Sequence, residues 1–211
     1  MSFKDGSQQF VMKEFKKDEW GMVLDFLSHG IYGMDRPQPV AQVLGEHYFS
    51  LLEVIVRDDT APKVGERLYI GDKKRDKVKY IRERIKIEAL TAAARGELEK
   101  AADRIVKEKE SRFMEFFNKS GQVTNRMHQL ELLPGVGKKH LWAIIEERKV
   151  KPFESFADIK KRVPLLPDPK KMIVKRILLE IEDKDKYRLF VPRFEKKDDS
   201  VRRNFYEKYQ L

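Results

Sequence analysis

The chain has 211 residues, a formal net charge of +10 and no cysteine. That length serves one large domain or two small ones, and the missing thiol excludes disulfides, thiolate metal sites and cysteine nucleophiles. The basic excess favours a polyanionic partner, nucleic acid before anionic membrane, and no apolar run approaches the roughly 20 residues of a membrane span.

The first residues, "MSFKDGSQQFVMKEFKK", lack the apolar centre of a signal peptide, so residues 1–17 read as a flexible arm and the expected location is cytoplasmic. Trp20 to Leu27 reads as a strand, with a turn at His29-Gly30. "PVAQVLGEHYFSLLEVIVRDD" is rich in β-branched and aromatic residues and predicts one long strand that curls at Gly45. "ERLYIG" predicts a short strand. In "KVKYIRERIKIEAL" the alternation slips, which places a β-bulge near Tyr80-Ile81. Several curled antiparallel strands in so short a span predict a small β-barrel over residues 18–90.

The period then changes. Leu90, Ala94, Leu98, Ala101, Ile105, Phe113, Phe116 and Phe117 recur at helical spacing and predict a connecting helix over 91–121, stopped at Gly121. Residues 122–183 predict four short helices. The first runs from Val123 to Leu132 and the second from Lys138 to Lys149. The third opens at Ser155 with Asp158 closing a capping box, and the fourth at Asp168-Pro169. Pro134 and Pro164 lie thirty residues apart, the mark of an internal duplication. Residues 184–211 form a basic aromatic tail, in which "YRLFV" predicts a strand returning to the barrel.

"LPGVGKKH" interrupts the helical pattern. Proline suits the turn before a helix, and glycine permits positive φ and close approach of backbone to a ligand. The amides of Gly135, Val136 and Gly137 are expected to point outward at a helix start, where a phosphate binds without any side chain. Lys138 and Lys139 add full charges there.

This stretch resembles the helix-hairpin-helix motif of nucleic-acid-binding proteins, carried here by Leu130, Leu133, Pro134, Gly135, Val136, Gly137, Leu141, Ile144 and Arg148. The resemblance implies a phosphate-binding role for Gly135, Val136, Gly137, Lys138 and Lys139. Leu141 departs from the alanine common at its place. The second unit, "FADIKKRVPLLPDPKKMIVKRI", has no glycine in its hairpin, yet Lys170, Lys171, Lys175 and Arg176 are candidates to touch phosphate. Bulkier residues at Gly135 and Gly137 are expected to weaken binding and leave the fold largely intact. Leu165 and Leu166 are expected to matter more for stability.

The N-terminal part resembles an OB-like barrel, most visibly in "VGERLYIG". The fold class expected is therefore α+β: a small OB-like β-barrel, a long connecting helix, then an all-α paired helix-hairpin-helix domain. That order resembles an uncharacterised archaeal family of predicted RNA-binding proteins and implies an RNA partner before DNA. A further basic run at residues 73–86 places Arg82, Arg84 and Lys86 on one strand face with Tyr80 nearby, a candidate second nucleic-acid surface.

No catalytic residues, metal or cofactor are expected. "GVGKKH" lacks the spacing and the Ser/Thr of a phosphate loop. Asp168, Glu182 and Asp183 resemble a metal-dependent nuclease signature but fall on or beside one predicted helix, and the histidines are scattered. Two rivals remain beside the non-catalytic nucleic-acid binder: a DNA repair or recombination factor or nuclease-type enzyme, and a module docking on the ribosome or RNA polymerase.

Overall fold

The structure is a computed structural model and describes residues 17–31 and 37–193. The expected N-terminal arm before Lys17 and the tail aromatics Phe194, Phe205, Tyr206 and Tyr209 lie outside the described residues. The fold is α+β. Strands β1 (Trp20–Leu27), β2 (Val40–Gly45), β3 (Leu51–Val56), β4 (Arg67–Tyr69) and β5 (Val78–Arg84) form one antiparallel sheet in the order β4-β1-β2-β3-β5. Laid flat, its edge strands β4 and β5 would stand about 19 Å apart, four strand spacings. Leu68 of β4 and Val78 of β5 nevertheless share one apolar cluster with Val23, Val43 and Val54, so the sheet is curled into a half-barrel. Its other face, Met22, Leu24, Leu44 and Leu51, packs on helices. Burial on both faces explains why β2 and β3 are buried along their whole length.

The expected single strand through Gly45 is two strands joined by a turn. The cause is remote in sequence. The buried Asp18 carboxylate accepts the N–H groups of His47, Tyr48 and Ser50 at 2.7, 2.8 and 3.4 Å and ties the turn. Gly45 is needed there, because a Cβ would lie 2.0 Å from Asp18 Oδ2. On β5 the ladder pairs Val56 with Val78 and Ile55 with Tyr80, skipping Lys79. It then pairs Val54 with Ile81 and Glu53 with Glu83, skipping Arg82. The irregularities flank Tyr80-Ile81, where the phase slip places them.

The helix expected over 91–121 is two, α1 (Ala92–Glu108) and α2 (Glu110–Lys119), broken at Lys109 with φ −108° and ψ 31°. Thr91 caps α1, accepting the N–H of Ala94 at 3.0 Å. The helix expected from Val123 to Leu132 is absent. A small hairpin, β6 (Gln122–Thr124) and β7 (Met127–His128), leads into a 3-10 turn over Gln129–Leu132. The β-branched Val123 and Thr124 suit the strand. A capping box then starts the turn at His128: its Nδ1 accepts from Leu130 N–H, and Glu131 accepts from His128 N–H at 2.8 Å. Burial holds the His128 imidazole below its usual range, with Arg148 adding to the shift, and the neutral ring keeps Nδ1 an acceptor.

Helices α3 (Lys138–Val150), α4 (Phe156–Arg162) and α5 (Pro169–Ile181) follow. Ser155 and Asp168 cap α4 and α5 as their sequence positions require. The last described segment is no strand. It is held by Glu180, which accepts the N–H groups of Leu189, Phe190 and Val191 at 2.7, 2.9 and 2.8 Å. Phe190 stacks edge-on against Phe113 and Phe116 of α2. One apolar cluster runs from Met22 to Val191 and unites the sheet's helical face with every helix.

Candidate nucleic-acid interface

The first turn is built by Leu133, Pro134, Gly135 and Val136. Val136 N–H donates to Leu133 O at 3.1 Å, and Gly135 has φ +92°. Proline second and a left-handed residue third is the arrangement of a type II turn. Below it Leu130, Leu133, Val136, Leu141 and Ile144 are buried. His140 Nδ1 donates to Gly135 O at 3.1 Å and closes the turn from the helix side. Helix α3 starts at Gly137, whose φ −93° and ψ −179° are ordinary extended backbone. No side chain caps it, so the first-turn amides of α3 keep open donors.

This corrects the expected division of labour. Val136 is buried and its N–H is spent in the turn. Gly135 is structural: besides its positive φ, a Cβ there would lie 3.0 Å from Pro167 Cγ. Gly137 is exposed, has open space for 4 Å around the place a Cβ would take, and needs no positive φ. Gly135→Ala should therefore destabilise the protein by about 1–3 kcal/mol, read as a lower urea midpoint. An unchanged midpoint would contradict the structural role.

The two lysines also differ. Lys138 Nζ pairs with Glu131 at 2.8 Å and holds that carboxyl below the usual range. Lys139 is exposed and has no ion pair among the described residues. Arg148 is turned inward, donating to Phe117 O at 2.9 Å and Ser120 Oγ at 3.1 Å, and burial lowers its pKa.

The second turn repeats the first. Leu166 N–H donates to Val163 O at 3.4 Å, Pro164 is second, and Leu165 is third with φ +69°. Val163 and Leu166 are buried like Leu133 and Val136. Leu165 is 82% exposed, so the expectation that it serves stability fails, while Leu166 is buried as that role requires. At the start of α5 the Asp168 carboxylate accepts Lys171 N–H at 3.0 Å and fills the anion position. Lys170 is tied to Asp103 of α1 at 2.7 Å, and Arg176 is buried against Glu180, Asp185 and the carbonyl of Leu132. Lys171 and Lys175 stay exposed without an ion pair among the described residues. The contact of Gly135 with Pro167 sets the two turns side by side.

Arg82, Arg84 and Lys86 do not form the expected row, because the skipped residues on β5 break the alternation. Arg82 donates to Glu53 at 2.6 Å, and Arg84 donates to Pro192 O at 3.0 Å. Burial lowers the Arg84 pKa. Lys86 lies beyond the strand end and is exposed.

Sequence reading misses two features. Trp142, one turn after Lys138, is 59% exposed; an aromatic between Lys138 and Glu146 on a polar helix face is the available signal. A cleft of about 690 Å³ between sheet and α2 is lined by Trp20, His47, Tyr48, Lys109 and Arg112. Its residues come from separate elements, so nothing local announces it. Among the described residues no His/Asp/Glu group could hold a metal ion, and no helix is long and apolar enough to cross a membrane.

A curled antiparallel half-barrel joined through one core to helices with a repeated proline turn defines a basic α+β protein. The chain belongs to a family described as proteins of unknown function, DUF655, which it matches over residues 17–192. It is 45% identical over 182 residues to an uncharacterized protein of Methanocaldococcus jannaschii, 85% of this chain and 82% of that protein. It is 48% identical to a DUF655 protein of Archaeoglobus fulgidus with a crystal structure, at a TM-score of 0.76 over 83% of this chain and 100% of that chain. The uncharacterised archaeal family expected from the order of elements is thereby found.

Proposed function

We propose that the chain is a non-catalytic nucleic-acid-binding protein that grips the sugar–phosphate backbone at the first proline turn, with RNA preferred over DNA. The paired turns are read as two helix-hairpin-helix units and the half-barrel as OB-like. The observation that carries the reading is the contrast between the turns. Both have the same hydrogen bond and a third residue in left-handed conformation. The second fills its helix start with Asp168, whereas the first leaves uncapped amides beside exposed Lys139. Uncapped amides and a cation at a helix start favour phosphate. Lys171 and Lys175 extend the positive surface along α5. Backbone contacts of this kind position a protein without reading sequence.

The test is salt dependence. With about 4–6 phosphates engaged, log affinity should fall linearly with log salt at a slope of roughly −3 to −5. Lys139→Ala should cost about 0.5–1.5 kcal/mol of binding and reduce the slope by about one. Lys138→Ala should cost less, because Glu131 already neutralises that charge. A flat response between about 50 and 300 mM salt would sink the phosphate grip. Matched RNA and DNA hairpins in competition decide the partner, and equal or better DNA binding would favour the repair-type reading.

A further inference from the structure

We propose that Leu165 is an apolar contact residue that packs into a groove of duplex nucleic acid beside the strand held at the first turn. The inference rests on the nucleic-acid reading above and names a contact which that reading does not contain. Leu165 has φ +69°, a region that a residue with a Cβ occupies at a steric cost. The equivalent place in the first turn is Gly135, where no such cost arises. Leucine at 165 is not held by packing either, because its side chain is 82% exposed and the turn is already filled by Val163 and Leu166, 1% and 6% exposed. Neither turn geometry nor burial calls for leucine there.

The surroundings say what would cover it. Lys160 and Lys161 close α4, Lys171 opens α5, and all three are exposed without an ion pair among the described residues. Lys139, with the same character, opens α3 after the first turn, whose Gly135 approaches Pro167. A lone leucine framed by unpaired lysines suits a polyanion with apolar walls. The grooves of a duplex are such a surface: phosphates line the rims, and sugar faces and base edges form the floor. Exposed leucines are among the side chains that enter grooves and press on base steps.

The experiment compares the full chain with Leu165→Gly, Leu165→Met and Lys139→Ala. Probes are a fluorescein-labelled RNA hairpin and its DNA counterpart, titrated by anisotropy at several salt concentrations, with thermal melting alongside. Leu165→Gly should melt no lower than the parent, because glycine accepts the positive φ. It should bind about tenfold more weakly with an unchanged salt slope, because no charge is removed. Leu165→Met should recover most of the affinity. Native affinity in Leu165→Gly, with a loss in Lys139→Ala, overturns the role of Leu165 and leaves the phosphate grip standing. A lowered slope in Leu165→Gly, or a fall in melting temperature that accounts for the weaker binding, also overturns it. If the parent binds neither hairpin, the nucleic-acid reading itself falls. Binding instead to phosphatidylserine–phosphatidylcholine vesicles would then assign the surface to lipid.

Discussion

Gly137→Asp should yield a protein that melts slightly higher and yet binds nucleic acid at least tenfold more weakly. The second turn is the precedent. There Asp168 precedes α5 and its carboxylate accepts a first-turn amide, from Lys171 at 3.0 Å. Gly137 is the corresponding cap of α3, already in extended backbone at φ −93°, with open space where the side chain would go. An aspartate there gains a few tenths of a kcal/mol over glycine as a cap. Interaction with the helix start adds about 0.3–1 kcal/mol. The same carboxylate occupies the amides and repels a phosphate. Losing a charged hydrogen bond of about 1.5–3 kcal/mol corresponds to tenfold or more in affinity. The salt slope should fall by about one phosphate. Gly137→Ala is the control, since it adds bulk without charge and should keep most of the binding. Native affinity in Gly137→Asp at every salt concentration would show that no anion sits at the first turn.

Local signals in the sequence are sound where the chain obeys its neighbours. Ser155 and Asp168 cap the helices they precede, and the phase slip at Tyr80-Ile81 marks irregular pairing. The thirty-residue spacing of Pro134 and Pro164 corresponds to two turns with the same hydrogen bond. What fails depends on contacts far apart in sequence. The break between β2 and β3 is set by Asp18, roughly thirty residues away. The β5 arginines look like a solvent-facing row, but Glu53 on β3 and Pro192, more than a hundred residues on, claim them. At the candidate site the residues are legible and their roles are not. Gly135 and Gly137 look alike in sequence. A positive φ and the approach of Pro167, just after the second turn, make Gly135 structural, whereas Gly137 has extended backbone and open space.

Glu180→Ala should be the most destabilising single change away from the apolar core, at about 3–5 kcal/mol. That is a large share of the roughly 5–15 kcal/mol that holds a domain folded. In sequence Arg176 and Glu180 are an ordinary surface pair one helical turn apart, and Arg176 reads as a candidate phosphate contact. In the structure their side chains are 2% and 0% exposed, 2.6 Å apart. Glu180 also accepts three backbone amides, from Leu189, Phe190 and Val191, which seat Phe190 on α2. Removing it orphans those three amides at about 1–3 kcal/mol each and takes from the buried Arg176 guanidinium one of its two carboxylates, leaving Asp185 at 2.7 Å. Arg176→Met should cost less, about 1–3 kcal/mol, because Glu180 keeps its three donors. The double variant should stay near the Glu180→Ala value, since the orphaned amides remain. Urea unfolding of the three proteins gives the order. Binding at a temperature where all are folded gives the second test. Arg176 faces inward, so Arg176→Met should keep the parent's salt slope. A slope lowered by about one would return Arg176 to the phosphate contacts and contradict its burial.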